Sequence, residues 1–347
     1  MSHENPATDR EDLRTDFVTL TNDILTGQLK HGRATGDLTI LLTAISSACK
    51  WISNVVRKAE LMKVIGVTGG TNVQNENVQK LDILSNQIMC NLLRESGRTA
   101  ILVSEEDDEA IFVDGGKQGQ YCVCFDPLDG SSNIDCGVSI GTIFGIYKVK
   151  NESGKPTLAD VLRPGTEMVA AGYCMYGSST VLVLTFTGSN QVNGYTLDPH
   201  IGEFVLTHRN MKLGKKKIYS VNEGNAHTFD PAIKGYIDSL KFPPAGHTGK
   251  FTPYSARYVG SMVADVHRTI LYGGVFLYPG AKLRILYECF PMALLIEAAG
   301  GKASTGRQRM LDIVPDKLHA RSGIVLGTAE EVEAVEGWYR KVDAGKK

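Results

Sequence analysis

The sequence predicts an α/β protein built from two subdomains. Apolar runs of strand length alternate along the chain with segments of helical periodicity, a pattern typical of helices packed on sheets. The 347 residues exceed one typical domain, so we expect two subdomains that share a continuous core. The composition, with 42% hydrophobic and 22% charged residues, is ordinary for a globular chain and can supply that core. We assign residues 1–209 to the first subdomain and residues 210–347 to the second.

Charge and cysteine content argue against several classes of function. The 37 basic and 38 acidic residues nearly cancel, so nothing indicates binding to nucleic acid or to an anionic membrane. No apolar run reaches 18 residues, which argues against a transmembrane helix. The first 14 residues lack a signal-peptide core, and the chain does not end in the peroxisomal Ser-Lys-Leu tripeptide. Seven cysteines without a Cys-x-x-Cys pair favour a reducing compartment. We expect a cytoplasmic protein, with a peroxisome-like organelle as the alternative if the C-terminus is truncated.

The N-terminal part of the chain predicts helices. A helical pattern extends to about residue 29, and residues 35–37 can cap a second helix that extends to about residue 61. Residues 66–77 are rich in glycine and asparagine and have no apolar period, which predicts a mobile loop. A third helix is predicted over residues 78–96.

Strands dominate the middle of the chain and helices return in the second half. Strand-like runs begin at Ile101 and continue to Tyr147, and they recur at residues 169–176, 180–187 and 204–207. Helical patterns, with strands between them, lie near residues 231–240, 261–271, 291–299 and 329–341.

Four carboxylates lie shortly after two of the apolar runs. Glu105 and Glu106 follow residues 101–104, whereas Asp126 and Asp129 follow residues 122–125. Both runs are uniformly hydrophobic, which predicts buried strands, and the carboxyl ends of such strands open into the crevice where α/β sheets bind ligands. Carboxylates gathered there repel one another unless a cation neutralises them. Hard divalent ions such as Mg²⁺ take oxygen ligands, so the pattern predicts a metal site.

The Gly130-Ser131-Ser132 turn indicates what the metal would hold. Glycine permits close backbone approach, and successive N–H groups with hydroxyls can cradle a phosphate. The alternative is an ordinary surface: the acidic run 105–109 is typical of a solvated loop, and Asp-Pro and Asp-Gly are common turn signals. The combination of a strand, two carboxylates flanking Pro-Leu and small hydroxylated residues favours the site.

Residues Asp126 to Ser132, Asp-Pro-Leu-Asp-Gly-Ser-Ser, resemble the motif of the lithium-sensitive, metal-dependent sugar phosphatases. Longer segments resemble class I fructose-1,6-bisphosphatase in particular: Lys80–Asp82, Val103–Asp107, Phe125–Cys136, Gly141–Tyr147, Ala256–Arg268 and Lys282–Cys289. The resemblance extends from about residue 35 to about residue 327. It implies a layered αβαβα sandwich with mixed β-sheets, the sugar phosphatase fold, assembled as a homotetramer.

The resemblance also implies an activity. It implies hydrolysis of the 1-phosphate of fructose 1,6-bisphosphate to fructose 6-phosphate and phosphate by metal-activated water, a step of gluconeogenesis that AMP inhibits. Asp82 and Glu106 are implied as the acid/base pair that orients and deprotonates the water. Two to three Mg²⁺ ions per site are implied, with Mn²⁺ as the alternative. Their ligands would be Glu76, Glu105, Asp126, the Leu128 carbonyl, Asp129 and Glu288. Glu76 stands where the family usually has aspartate, so we expect it to bind metal only in a closed state.

A clamp for the distal phosphate follows from the same resemblance. Arg257 is implied to cross from a neighbouring subunit and to act with Tyr258, Tyr278 and Lys282, while Asn222 supplies an amide donor. Asn225 stands where the family usually has tyrosine, and the insert Pro279–Ala281 is shorter than in many relatives. The remaining residues implied in substrate binding are Asp129, Gly130, Ser131, Ser132, Ser261, Met262, Leu283 and Arg284.

An AMP site is implied at the start of the second helix, where helix N–H groups face an anion. Gln120 replaces an expected lysine and Lys148 an expected arginine, which lowers the charge of this pocket. Its residues would be Thr35, Gly36, Asp37, Leu38, Thr39, Gln120, Tyr121 and Lys148.

Three alternative functions remain at this stage. The nearest is sedoheptulose-1,7-bisphosphatase or a dual-specificity sugar bisphosphatase, because a phosphate clamp alone does not distinguish a six-carbon from a seven-carbon sugar. An inositol or nucleotide phosphatase is less consistent with the segments around Arg257 and Lys282. A catalytically silent metabolite sensor is disfavoured by the intact carboxylates.

Overall fold

The computed structural model describes residues 17–28, 35–59, 61, 67–71, 77–150 and 155–345, with the backbone alone for 67–71 and 77–79. Glu76, a predicted metal ligand, lies outside the described residues. The N-terminal helices are α1 (Leu20–Gln28), α2 (Asp37–Arg57) and α3 (Lys80–Glu95). These bounds confirm the predicted second and third helices to within a few residues.

Helix α2 shows why the apolar period in this region predicts a packed helix. Leu41, Ile45, Ala48 and Ile52, which recur every three or four positions, are all fully buried. The helix is long and apolar enough to cross a membrane by length and composition, yet 56% of the relevant window is buried inside the protein. Such burial is what the core helix of a globular protein requires.

The larger sheet contains β3 to β10. Its strands are β3 (Thr99–Ser104), β4 (Ile111–Phe112), β5 (Tyr121–Asp129), β6 (Ile140–Lys148), β7 (Ala170–Tyr176), β8 (Thr180–Phe186), β9 (Val192–Asp198) and β10 (Glu203–His208). They lie in the order β10-β9-β8-β7-β6-β5-β3-β4, and β3 pairs parallel with β5 while the other neighbours are antiparallel. The sheet is therefore mixed, as predicted.

The second sheet comes from the later part of the chain. Its strands are β11 (Ile218–Ser220), β12 (Ser255–Ala256), β13 (Val275–Arg284), β14 (Lys302–Ser304) and β15 (Arg321–Gly327), in the order β12-β11-β13-β15-β14. The accompanying helices are α4 (Pro231–Lys241), α5 (Met262–Tyr272), α6 (Phe290–Ala298) and α7 (Ala329–Ala344). A π-helical turn, Ile285–Cys289, joins β13 to α6.

Three hydrophobic clusters hold these elements in five layers. In β5, Val123 and Phe125 face the cluster under α1 to α3, whereas Cys122 and Cys124 face the cluster that includes α5 and α6. Residues of β13 alternate in the same way between that central cluster and a third one formed with α4 and α7. The order of layers is thus α, β, α, β, α, which confirms the layered sandwich.

Part of the loop that the sequence predicts over residues 66–77 is paired strand. β1 (Val67–Thr71) pairs antiparallel with β2 (Asn77–Gln79) as a small separate sheet, while the rest of that range lies outside the described residues. The two strands form through backbone pairing, and the glycine-rich sequence has no apolar period that would predict them.

Candidate active site

Strands β3 and β5 bring the first two carboxylates together. Ser104 pairs with Phe125 in the parallel ladder, and the Glu105 N–H continues it by donating to the Phe125 carbonyl at 3.1 Å. Because the two strands are parallel neighbours, Glu105 and Asp126 lie side by side at their carboxyl ends. Both are buried, with 8% and 3% of their surface exposed.

A β-bulge at Pro127 and Leu128 brings Asp129 to the same place. Against β6, Asp126 pairs with Ile143 and Asp129 with Gly141, so β5 has one residue more than its partner. Residues three apart would otherwise face opposite sides of a sheet. A bulge can hold Pro127, because the ladder requires no N–H donor at this position. The Pro127 carbonyl accepts the Thr142 hydroxyl at 2.8 Å. The Leu128 N–H donates to Asp126 Oδ1 at 2.8 Å. The bulge therefore lets both aspartates converge.

Glu288 completes the cluster from the π-helical turn. Asp126, Asp129 and Glu288 each offer a carboxylate oxygen, and these atoms lie within 4.8 Å of one another. The Arg284 N–H donates to Glu288 Oε2 at 2.6 Å, and Arg284 Nη2 lies 2.8 Å from Glu105 Oε1. A π-helical turn adds one residue to the local geometry, and such turns are frequent at functional sites.

The electrostatics of the cluster suit a divalent cation. Burial, followed by the charges of Glu105, Asp129 and Glu288, raises the pKa of Asp126 well above its usual value. Burial and Glu105 likewise raise the pKa of Glu288, although Arg284 opposes the shift. Arg284 lies within ion-pair distance of Glu105 and Glu288 and so offsets only part of the charge of the four buried carboxylates. A hard cation with oxygen ligands would neutralise the excess. The side chains present therefore fit a metal centre.

Asp129 also connects the cluster to the start of α5. Its Oδ2 accepts the Ser261 hydroxyl at 2.7 Å and the Val263 N–H at 2.9 Å, and these bonds oppose the rise in pKa that burial causes. Gly130, with φ of +77°, packs so closely that a Cβ there would lie 2.7 Å from the Cβ of Ser261. The predicted Gly130–Ser132 cradle is therefore fixed against α5, which also carries Met262.

The two residues of the predicted acid/base pair lie on adjacent elements. Asp82 is buried in the first turn of α3, and the half-buried Glu106 is the second residue after β3. The Glu106 N–H donates to Ser104 Oγ at 3.2 Å. Sequence reasoning missed Asn86, one turn after Asp82, whose side chain contacts the segment that carries Glu106.

Asp265 organises the backbone of the predicted clamp. Its carboxylate accepts the N–H groups of Val259 and Gly260 at 3.1 Å and the Ser220 hydroxyl at 2.7 Å. Arg268 Nη2 lies 2.6 Å from the same carboxylate. Sequence reasoning missed this role of Asp265, which is fully buried in the first turn of α5.

The clamp side chains surround this backbone. Arg257 is exposed, and its backbone N–H donates to the Tyr219 carbonyl at 2.9 Å. Burial and then the proximity of Tyr278, Asp265 and Asp129 raise the pKa of Tyr258 to about 12.

Other predicted substrate residues differ in exposure. Lys282 is exposed at a bulge where the pairing of β13 with β15 shifts between Tyr278 and Leu283. The side chain of Leu283 packs in the central cluster, so only its backbone could contact a substrate. Asn222 is exposed, and its Oδ1 accepts the Gly224 N–H at 3.0 Å. Asn225 is exposed in the following turn, and its N–H donates to the Asn222 carbonyl at 3.1 Å.

The predicted nucleotide turn lies at the opposite end of β5. Gly36 adopts φ of +86° before α2, and Thr35 Oγ1 donates to Asp37 Oδ2 at 2.7 Å. Arg98 Nε lies 2.9 Å from Asp37 Oδ1, and the Arg98 carbonyl accepts the Tyr121 N–H at 3.0 Å. Lys148 pairs with Tyr121 across β6 and β5, and Gln120 precedes that pair. The structure therefore brings Thr35–Thr39 near Gln120, Tyr121 and Lys148 through Arg98, which sequence reasoning missed.

Family models and relatives agree with this architecture. The model described as "Fructose-1-6-bisphosphatase, N-terminal domain" matches residues 18–209, and "Fructose-1-6-bisphosphatase, C-terminal domain" matches residues 213–340. A cytosolic fructose-1,6-bisphosphatase of Oryza sativa subsp. indica is 57% identical over 98% of each chain. One from Arabidopsis thaliana is 57% identical over 94% of this chain and 96% of its own.

Solved structures give the same result. The Leishmania major fructose-1,6-bisphosphatase in its holo form superposes with a TM-score of 0.87 at 41% identity, covering 93% of this chain and 99% of that one. Its apo form gives a TM-score of 0.82 at 40% identity, over 93% and 99% of the two chains. Fold and site define a layered α/β protein with a buried carboxylate centre suited to a divalent metal. The chain belongs to the fructose-1,6-bisphosphatase family.

Proposed function

We propose that this protein hydrolyses the 1-phosphate of fructose 1,6-bisphosphate in the cytosol, as a step of gluconeogenesis. The observation that carries the proposal is the convergence of Asp126, Asp129 and Glu288, whose oxygens lie within 4.8 Å of one another. It occurs in a chain 57% identical to proteins named cytosolic fructose-1,6-bisphosphatase. The site draws on both proposed subdomains, a metal-binding and regulatory one (1–209) and a sugar-phosphate-binding one (210–347).

The metal would be Mg²⁺, with Mn²⁺ as the alternative, in two to three ions per site. Carboxylate oxygens at the end of a strand are the ligands such hard cations prefer. When bound, the ions activate water, polarise the phosphoryl group and stabilise the leaving alkoxide. The ligands would be Glu105, Asp126, the Leu128 carbonyl, Asp129 and Glu288, with Glu76 added in a closed state.

Glu106 and Asp82 would orient and deprotonate the attacking water. Glu106 is half-buried beside the cluster, and its carboxylate is not needed as a metal ligand, so it can accept a proton from the attacking water. Asp82, buried on α3, would orient that water with it. Gly130, Ser131 and Ser132 would hold the reacting phosphate through N–H groups and hydroxyls at the start of their turn.

The distal phosphate would bind in the clamp formed by Arg257, Tyr258, Tyr278 and Lys282, with Asn222 as an amide donor. Arginine suits this role because its planar fork binds phosphate oxygens in pairs. Arg257 is exposed, so it could bind substrate in the active site of an adjacent subunit of a homotetramer. Ser261, Met262, Leu283 and Arg284 would support the substrate from α5 and β13.

AMP would inhibit the enzyme by binding at the start of α2. The N-terminus of a helix offers N–H groups and a partial positive charge to a phosphate. Asp37, which lies in this first turn, is paired with Arg98 at 2.9 Å, so the acidic side chain repels an anion less than a lone carboxylate would. Gln120 and Lys148 give the pocket less charge than the family pattern.

A coupled phosphate-release assay tests the proposal. Fructose 1,6-bisphosphate and sedoheptulose 1,7-bisphosphate are compared with and without AMP, in Mg²⁺ and after chelation. We expect metal-dependent release from the fructose substrate, lowered by AMP. Preference for the seven-carbon sugar would instead indicate a sedoheptulose-1,7-bisphosphatase. Binding of fructose 1,6-bisphosphate without turnover of either substrate would indicate a metabolite sensor.

A further inference from the structure

The side chain of Asn86 contacts both flanks of the Glu105-Glu106 pair. Ser104 Oγ donates to Asn86 Oδ1 at 2.8 Å, and Asn86 Nδ2 donates to Asp107 Oδ2 at 3.2 Å. Ser104 Oγ in turn accepts the Glu106 N–H at 3.2 Å. The three bonds form a directed chain from the Glu106 backbone through a hydroxyl and an amide to a carboxylate.

The donors fix the orientation of the Asn86 amide. Ser104 Oγ accepts the Glu106 N–H and donates its single hydroxyl proton to Asn86 Oδ1. The thiol of Cys90 also points to Oδ1, at 3.5 Å. The carboxylate of Asp107 can only accept, which requires the amide nitrogen on its side. Every contact is therefore consistent with one orientation.

Asn86 also belongs to the helix that carries the other half of the acid/base pair. It lies four residues after Asp82 on α3, so the two side chains occupy the same face, one turn apart. We propose that Asn86 is a positioning residue for phosphate-ester hydrolysis, fixing Glu106 relative to Asp82. This role rests on the proposed function. Asn86 itself touches no reacting atom.

The predicted metal ligand beside Glu106 is held by other groups. The Glu105 N–H bonds to the Phe125 carbonyl at 3.1 Å, and Arg284 Nη2 lies 2.8 Å from its carboxylate. We therefore expect loss of the Asn86 contacts to shift Glu106 more than Glu105. A displacement of about 1 Å from productive geometry can cost about 100-fold in rate. We expect kcat to fall, whereas KM for the bisphosphate should stay near its original value.

A charge swap tests the role. Asn86→Asp keeps the acceptor for Ser104 but sets a carboxylate against that of Asp107, so we expect kcat to fall about 10- to 100-fold. Adding Asp107→Asn reverses the direction of the bond, since the new amide donates to the new carboxylate. We expect the double variant to regain kcat to within about threefold of the parent, with KM changed less than about twofold in both.

Asn193→Asp is the matched control. Asn193 is also half-buried, donates to Asp23 Oδ2 at 2.9 Å and accepts the Asn210 N–H at 2.8 Å. The same like-charge contact then arises on β9, four strands from β5. We expect a comparable drop in melting temperature with kcat unchanged. If Asn86→Asp does not fold, Asn86→Ala replaces it and is compared with Asn193→Ala.

The outcomes separate the positioning role from the enzyme activity. A wild-type protein that releases no phosphate from fructose 1,6-bisphosphate overturns the proposed function and the role of Asn86 with it. An active wild type whose Asn86 variants keep their kcat overturns the positioning role alone. The role is also wrong if the charge swap fails to restore kcat while restoring the melting temperature.

Discussion

Arg284 and Glu105 form a buried ion pair, with Nη2 2.8 Å from Oε1 and only 6% and 8% of the two residues exposed. The same guanidinium lies 3.8 Å from Glu288 Oε2, so it offsets part of the negative charge of the buried carboxylates. A divalent metal would neutralise the same group of negative charges. The stability of the protein and its metal binding should therefore depend on each other.

Arg284→Met should destabilise the metal-free protein by about 3 kcal/mol, the scale expected when one partner of a buried ion pair is lost. The loss should be smaller in saturating Mg²⁺, because the metal supplies the missing positive charge. Urea unfolding with EDTA and with Mg²⁺ measures both values. Arg309→Met is the control: its exposed pair with Glu297, at 2.6 Å, should be worth no more than about 1 kcal/mol in either condition. Equal losses for the two variants would contradict the prediction.

The metal-free protein should lose stability as the pH rises. Burial raises the pKa of Asp126, Asp129 and Glu288 above their unfolded values, and repulsion from nearby carboxylates adds to the rise, so the folded state binds protons more tightly. This contribution to stability is complete below the unfolded pKa values, about 4, and is lost as the pH passes through the raised folded values. The stabilisation by Mg²⁺ should increase over the same range, since metal binding requires the charged form.

Asp126→Asn tests this pH dependence, because asparagine can keep the bond from the Leu128 N–H while removing one charge. Without metal, the variant should be more stable than the parent at about pH 8, and the difference should shrink towards pH 5. Thermal unfolding in EDTA across that range measures it. The exposed Asp312→Asn should leave the slope unchanged. A parent whose metal-free stability does not fall with pH would contradict the assignment.

Glu106→Gln should lower kcat by about 10²- to 10⁴-fold, the usual cost of losing a general base. Metal and substrate binding should remain largely intact, because the residue is assigned to proton transfer alone. Asp126→Ala should instead weaken metal binding itself. Steady-state kinetics with calorimetric Mg²⁺ titration distinguishes the two. Near-normal turnover by the Glu106 variant would mean that another group takes the proton.

Gly130→Ala should cost stability in two ways that a control can separate. Its φ of +77° disfavours any side chain, and the new Cβ would lie 2.7 Å from that of Ser261. Gly137, with φ of +69°, has open space around the same position. Gly137→Ala should therefore lose only the backbone term, about 1 kcal/mol, and keep its activity. Equal stability losses and equal activities for the two variants would show that Ser261 accommodates the methyl group.

Arg257→Ala should raise KM for the bisphosphate about 10- to 100-fold, the scale of one lost charge-assisted hydrogen bond. Its metal affinity should change much less, because the residue serves the distal phosphate. Steady-state kinetics over a wide range of substrate concentrations, with the Mg²⁺ titration above, provides the test. An unchanged KM would remove Arg257 from the clamp.

Mixing Arg257→Ala with Asp126→Ala tests whether the clamp crosses between subunits. Hybrid tetramers would contain some sites with both parts intact and others with both defective, so activity should rise above either parent. Subunit exchange is checked by mass spectrometry of differently tagged chains. If exchange occurs and activity stays at the parental average, Arg257 acts within its own chain.

The sequence predicted the long elements well because their signals are local. The buried face of α2 and the apolar run of β5 each repeat one period over many residues, so no tertiary information was needed. The short strands are different. β14 has three residues, Lys302–Ser304, and exists because it pairs with β15. Its order comes from the partner strand, which local propensity cannot show.

The candidate site was predictable as a set of residues and much less as a geometry. The spacing of Asp126 and Asp129 indicated shared chemistry, yet two residues three apart converge only because β5 bulges against β6. Asp265 and Asn86 escaped notice for a related reason. They act on backbone and side-chain groups distant in sequence, and an acidic or amide residue on a helix has no local signal for such partners.

Strand β5 has one more consequence. Tyr121, in the proposed nucleotide pocket, is its first residue, and Asp129, in the metal cluster, is its last, so a single extended segment of about 26 Å joins the two places. Under the proposed regulation, the factor by which AMP weakens metal or substrate binding must equal the factor by which metal or substrate weakens AMP binding. The reciprocal effect can be titrated in the absence of turnover, so the coupling between the two ends can be measured as an equilibrium quantity.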